Sequence, residues 1–344
     1  MAGRSTLIKA SLANTPIYFM SLFQIPASVS KRIQQLMRNF LWSGSAETKK
    51  FHLVSWNKIC THKKKEGLGI RDLRNQNWAL LGKWWRLANH ENQLWMQVIR
   101  SKYYISSQRW LPKTNYFSTG SGIWKTLVSL LPRFRSNICF HARGGNRVRF
   151  WEDLWIDCSS LKDRFPLLYS ISNCKESMIV NEMTLSGNSR DWNPSFRRSL
   201  SDEELLQFST LSSELHGVFL SLSGMDSMIW TPSASRRFTV ASFYRVLVDG
   251  TNIVDLSNRV WDSIAPPRTQ LFQWLATLGR PLTIDNLQKR GFQFPNRCIM
   301  CLKEEETISH MLLHCDFTYS IWSQLIQLFS LSWVLPPSIQ ALLA

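Results

Sequence analysis

Residues 298–315, CIMCLKEEETISHMLLHC, gather three of the chain's seven cysteines and two of its seven histidines. Cys298, Cys301, His310 and Cys315 follow the spacing C-x2-C-x8-H-x4-C. A two-residue gap lets two thiolates converge on one ion from a tight turn, and the second pair arrives from the next element. Three soft thiolates and one imidazole suit Zn2+ in a closed tetrahedral site that leaves no position for water. The expected metal is therefore structural, one Zn2+ per chain. His314 is an alternative to His310, but His310 lies five residues before Cys315 and gives the less cramped bite. The competing reading is a small core of reduced, unliganded thiols. A lone C-x2-C would favour that reading; the added histidine and third cysteine favour metal.

Outside this cluster the remaining four cysteines are scattered, and an odd total does not make a disulfide scaffold, so a reducing compartment is expected. No apolar run approaches the ~18 residues that a membrane span needs. Charge is the next constraint. The net charge of +17 is unevenly placed: residues 1–150 hold 25 Lys+Arg against 4 Asp+Glu, or +21, and residues 151–344 hold 16 against 20, or −4. A uniform excess of base would serve solubility alone. A step of this size points to a polyanion, RNA or DNA, as partner of the first half.

Residues 1–46 carry no acid and many Ser, Lys and Arg, a composition shared with transit peptides, and IYFMSLFQI has the length of a signal-peptide core interrupted by Ser and Gln. Periodicity favours a helical domain instead. In SKRIQQLMRNFLW the apolar residues Ile33, Leu36, Met37, Phe40 and Leu41 fall at i, i+3, i+4, i+7 and i+8. Pro26 precedes them, with Ser28 or Ser30 available as cap. The stretch NQNWALLGKWWRLANHENQLWMQVIRSKYY predicts two helices meeting near Asn89–Asn92, with Trp78, Leu81, Trp84, Trp85 and then Leu94, Trp95, Val98 as buried faces. Ahead of them, KKKEGLGIRDL is a basic loop whose Lys63, Lys64 and Lys65 form either a solvated surface or a phosphate-contacting edge.

From about residue 110 the pattern changes to alternation and turns. ICFHARGGNRVRFWEDLW predicts a β-hairpin around Gly144-Gly145-Asn146, with Arg147 and Arg149 on one face of the second strand and Val148 and Phe150 on the other. With Arg133, Arg135 and Arg143 this makes five arginines and no acid between residues 133 and 149. Such a face beside aromatics suits a nucleic-acid backbone, or is a plain polar surface. Residues 157–225 are Ser-rich and weakly periodic, and read as a loose connector. SDEELLQF, with Ser201 as cap and acids in the first turn, is the exception. Further on, RRFTVASFYRVL predicts a short strand turning into a helix. RTQLFQWLATLG predicts a helix with Leu271, Phe272, Leu275 and Leu278 on one face, stopped by Gly279. TIDNLQKRG opens on Thr283 and closes on Gly291.

These residues resemble a known family. FTVASFY, WDSIAPPRTQLFQWLATLGRPLTIDNLQKRG and CIMCLKEEETISHMLLHCDFTYSIW are similar to the zinc-binding domain of reverse transcriptases from plant LINE-type non-LTR retrotransposons. The resemblance runs through Phe272, Trp274, Thr283, Cys298, Cys301, Glu306, Thr307, His310, Cys315 and Trp322. The first hundred residues resemble the region after the polymerase palm of the same proteins, through AGRSTLIKASLANTPIYFMSLFQIP, NFLWSG, EGLGIRDLRNQNWALLGKWWR and LWMQVIRSKY; GGNRVRFWEDLW also fits. The resemblance implies a helical, thumb-like N-terminal region in place of a targeting peptide. Polymerases of this kind use carboxylates on two Mg2+ ions, two of them adjacent aspartates, and this sequence contains no adjacent Asp pair. The resemblance thus implies a C-terminal part of such an enzyme, without palm, endonuclease or ribonuclease H residues.

The expected fold is mainly α with a small β component. Its expected divisions are a thumb-like helical region over 1–110, a basic hairpin and Ser-rich connector over 111–229, a zinc-binding helical domain over 230–330, and a tail over 331–344. The expected function is non-catalytic nucleic-acid binding, to RNA or DNA through Lys63, Lys64, Lys65, Arg143, Arg147 and Arg149, with no membrane partner. The alternatives are an inactive relic of a decayed element and a domesticated zinc adaptor that binds protein through its C-terminal half. The same reading places the chain inside the cell, in nucleus or cytoplasm rather than an organelle, without choosing between them.

Overall fold

The computed structural model describes residues 1–43, 51–87, 94–103, 110, 122–186, 189–218, 220, 224–248, 256–332 and 334–343. Helices dominate, and the strands among the described residues form three two-stranded antiparallel sheets. The chain folds into two compact units, neither of them a continuous stretch. The first takes Met1–Phe19, Ile25–Gln76 and Val248–Ala344; the second takes Met20–Gln24 and Asn77–Leu247. The four consecutive segments expected from the sequence are cut across by this division, because composition changes along the chain while compactness joins its two ends.

In the first unit the helix Ala27–Trp42 buries Met37, Leu41 and Trp42, as its periodicity requires, but leaves Leu36 half exposed. Pro26 occupies the cap position, so neither Ser28 nor Ser30 caps; Ser30 is buried inside the first turn. The helix Pro267–Thr277 buries Leu271, Trp274 and Leu275. Phe272 stays exposed, and Trp274 takes the inward place, its indole N–H donating to the Glu66 carbonyl at 2.8 Å. Gly279 and Gly291 adopt left-handed φ of 62° and 90°, as expected of helix stops. Thr283 precedes the short helix Ile284–Gln288, but its hydroxyl turns to the Asp285 carboxylate rather than to a backbone N–H.

The core of the second unit is aromatic. The helix Gly122–Arg135 buries Leu127, Val128, Leu131 and Phe134, and Phe134 meets Trp230, Phe238 and Phe243 at ring separations of 5.4, 5.8 and 6.0 Å. Gly82 is needed beside this group: a Cβ there would lie 2.5 Å from the Phe243 ring. Trp85 is buried and donates to the Leu127 carbonyl, while Trp78 and Trp84 are half-buried. The helix Leu94–Tyr103 does not bury the expected face, since Leu94 and Val98 are exposed. Periodicity marks an apolar face without saying what covers it. The junction expected at Asn89–Asn92 and the side chain of Trp95 lie outside the described residues.

The expected hairpin is replaced by a longer-range pairing. Strand β1 (Ile138–His141) pairs with Ser227–Trp230, in register Ile138↔Trp230 to His141↔Ser227, and not with residues 147–150. Asp226, just before that partner strand, explains the exchange. Its Oδ1 accepts from the backbone N–H groups of Arg143, Gly144 and Gly145 at 2.8, 2.9 and 2.8 Å, and its Oδ2 from that of Arg147 at 2.9 Å. The glycines therefore wrap the loop around a carboxylate instead of making a two-strand turn. Gly145 has φ 71°, and a Cβ on Gly144 would sit 2.7 Å from the Gly224 carbonyl. Residues 148–150 pair instead with 177–179, through Ile179 N–H to Val148 O and Phe150 N–H to Ser177 O.

Residues 157–225 are not a loose connector. Just after β2 (Leu154–Ile156), they hold β3 (Ser159–Ser160), β4 (Met183–Ser186), β5 (Ser189–Trp192) and the helix Asp202–His216, and β6 (Ser227–Trp230) follows just beyond them. Leu168, Ile179, Leu211 and Leu215 are buried in the core, and the Trp192 indole N–H donates to the Leu215 carbonyl. Strands of two to four residues are too short to display a period. Ser201, expected as cap, opens the helix, and the structure adds a capping box with Glu204. The strand expected before the helix Val240–Val248 is absent at 236–239, where the backbone is irregular.

Candidate metal centre

The first cysteine pair sits on a knuckle. Cys298 N–H donates to the Glu304 carbonyl at 2.7 Å and Leu302 N–H to the Cys298 carbonyl at 2.9 Å; Leu302 takes a left-handed φ of 57°. The second pair comes from the π-turn His310–His314 and the cap of the helix Asp316–Leu328. Three side chains fix the join. Thr307 Oγ1 accepts from His310 N–H, Thr318 donates to the Met311 carbonyl, and the Trp322 indole donates to the Leu312 carbonyl. Glu306, buried, accepts from Ile284 N–H at 3.1 Å and so ties the cluster to the helix before it.

The four ligand atoms of Cys298, Cys301, His310 and Cys315 lie within 4.8 Å of one another. Cys298 Sγ is 3.9 Å from Cys315 Sγ, and Cys301 Sγ is 3.3 Å from His310 Nε2. A tetrahedron with Zn–S of ~2.3 Å has S···S edges of ~3.8 Å, so the donor set fits such an ion. His310 Nδ1 is buried and faces the Glu304 carboxylate at 3.1 Å, which leaves Nε2 for the metal. His314 is exposed, its Nε2 against the Pro336 carbonyl at 3.0 Å, and stands outside the cluster. The backbone N–H groups of Glu304 and Lys303, helped by His310, hold the Cys301 thiol down at about 6, so it favours thiolate. Burial pushes the Cys315 thiol up, against N–H groups of Phe317 and Thr318 that pull it down. The chain supplies four donors and room for one ion, with no fifth ligand among the described residues.

The expected nucleic-acid residues fall on two separate units. Lys63–Lys65 form one 3-10 turn capped by the His62 imidazole, which accepts from Lys64 N–H. Lys63 and Lys64 are exposed and Lys65 half-buried. In the second unit Arg143 is exposed. Arg147 lays its guanidinium 4.1 Å from the Trp110 ring centroid, and Arg149 spends its guanidinium on Glu152 and Asp153, the latter at 2.7 Å. Arg147 and Arg149 therefore do not share a strand face. The acids at 152 and 153 were visible in the sequence, but their pairing depends on the tight turn that follows residue 149.

Residues 238–322 match the family described as zinc-binding in reverse transcriptase. The chain is also similar to a putative ribonuclease H protein of Arabidopsis thaliana, at 30% identity over 337 residues, 94% of this chain and 52% of that protein. Against an uncharacterized mitochondrial protein of the same plant the identity is 28% over 143 residues, 41% of this chain and 92% of that protein. The chain thus spans about half the length of the first relative. No described helix is long and apolar enough to cross a membrane.

Proposed function

We propose, from the match of residues 238–322 to the family described as zinc-binding in reverse transcriptase, that this chain is a nucleic-acid-binding part of a retrotransposon-type polymerase. One structural Zn2+ on Cys298, Cys301, His310 and Cys315 holds its C-terminal region together. The chain itself has no polymerase chemistry, a reading supported by the lack of an adjacent Asp pair for a two-metal centre. The observation that carries nucleic-acid binding is the charge step, +21 over residues 1–150 against −4 over the rest. Lys63, Lys64, Lys65, Arg143, Arg147 and Arg149 are the proposed contacts. Of these, Lys63, Lys64 and Arg143 carry the exposed charge, and Arg147 and Arg149 brace the loop that presents Arg143.

Binding of this kind is non-specific and salt-sensitive, with log K falling by roughly 0.7–0.9 per phosphate neutralised for each log unit of salt. The test is an anisotropy titration of the full chain against labelled RNA and DNA of unrelated sequences over a range of salt. Comparable affinity across sequences with a steep salt slope supports the reading. Absence of binding at low salt, or a slope near zero, overturns it.

A further inference from the structure

Within the first unit two lysines border one glycine and have no counter-ion among the described residues. Lys9 lies on the π-turn Ile8–Leu12, and Lys63 opens the turn Lys63–Lys65. A Cβ built on Gly69 would be 3.8 Å from Lys9 Nζ and 4.0 Å from Lys63 Cγ, so both side chains border the same bare backbone. Gly69 has φ 65°, a conformation that favours glycine and keeps that floor open. Lys63 Nζ is held 4.7 Å from the Trp261 ring centroid, which orients it without neutralising it.

The carboxylates of this loop are turned elsewhere. Glu66 pairs with Lys58 at 2.6 Å, and Asp72 accepts from Gln34 Nε2 at 2.8 Å and Asn75 N–H at 2.9 Å. Burial first, and the charge of Lys63 second, push the Lys9 ammonium down; no acid offsets them. Neither Lys9 nor Lys63 has an ion pair among the described residues. The charge of Lys63 is felt by the Lys9 ammonium with no carboxylate to offset it, and an external anion beside the pair relieves that repulsion.

We propose that Lys9 and Lys63 form a phosphate site over Gly69, whose missing side chain leaves the room and whose own N–H is given to the Thr61 carbonyl; the site seats one phosphodiester of a bound strand. The proposal rests on the nucleic-acid reading for its ligand and on the lysine pair for its place. It adds Lys9, a residue that periodicity hides because its neighbours Ile8 and Leu12 read as an ordinary apolar helix face.

The test uses the full chain and the variants Lys9→Gln, Lys63→Gln and, as a charge-matched control, Lys289→Gln, whose lysine already pairs with Asp285. The salt slope of binding to a short single-stranded RNA is measured for each, together with acylation of Lys9 by an amine-selective reagent, read by mass spectrometry. Each site variant should lower the slope by ~0.7, the control should leave it unchanged, and RNA should protect Lys9 from acylation. If RNA binds with the wild-type slope in both site variants and leaves Lys9 unprotected, the phosphate site is overturned while the nucleic-acid reading stands. If no RNA binds but inorganic pyrophosphate protects Lys9 in the wild type and not in Lys63→Gln, the site stands with a free phosphate as ligand and the nucleic-acid reading falls. Neither RNA binding nor pyrophosphate protection overturns both.

Discussion

Replacing Asp226 with alanine should destabilise the second unit more than any other single carboxylate removal in it. The side chain is 9% exposed and accepts four backbone N–H groups, two of them, from Gly144 and Gly145, fully buried. Hydrogen bonds to a charged acceptor contribute ~1.5–3 kcal/mol each, and a buried donor left unpaired costs ~1–3 kcal/mol. Arg143 and Arg147 can turn their N–H groups to water, so the two glycine donors dominate and the expected loss is ~3–5 kcal/mol. For a unit of this size each kcal/mol moves Tm by ~2–4 °C, which gives a fall of roughly 6–20 °C. Asp226→Asn keeps an acceptor for the buried pair and should cost about half as much. Asp191, exposed on β5, provides the control, and its alanine variant should stay within ~0.5 kcal/mol. Urea and thermal unfolding followed by far-UV circular dichroism measure all three. If Asp226→Ala is no worse than Asp191→Ala, the loop is not organised by the carboxylate and the local hairpin regains its claim.

Gly82→Ala places a methyl 2.5 Å from the Phe243 ring and should cost ~1–3 kcal/mol in the same unfolding assay, although alanine is the better helix former. Arg198 grips Glu204 with two bonds of 2.8 Å and, with Ser201, holds its carboxyl at about 2, below the ordinary 4.5. That stabilisation is fully present above pH 4.5 and is lost as pH falls toward 2, so Arg198→Gln should flatten the acid limb of a stability-against-pH curve between those values. With primed RNA template, dNTPs and Mg2+ the purified chain should extend nothing; template-dependent extension that survives stringent purification would refute the non-catalytic reading.

The parts of this fold that the sequence reveals are those in which neighbours in sequence decide the outcome. The helix cap at Ser201, the left-handed stops at Gly279 and Gly291, and the spacing of Cys298, Cys301, His310 and Cys315 are of this kind. The misread parts depend on distant partners. β1 looks like half of a hairpin because Gly144-Gly145-Asn146 is a good turn sequence, yet Asp226, some eighty residues on, claims the turn's N–H groups. Arg149 looks like an exposed basic residue until the turn brings Asp153 onto it. Leu94 and Phe272 have the spacing of core residues and are exposed, since a period fixes a face and not its cover. Asp226 could have been suspected: a lone acid before a run of β-formers, in a chain with so few acids near its arginines.

Zinc content tests the central claim most directly. Protein purified without chelator should carry one Zn2+ per chain by elemental analysis, and Cys301→Ser or His310→Ala should remove it while His314→Ala retains it. Structural zinc in small peptides has apparent binding energies of ~10–16 kcal/mol, so its removal by chelator should unfold residues 260–330 locally. Protein that contains no zinc, or that keeps full zinc in His310→Ala and loses it in His314→Ala, would contradict the site assigned here.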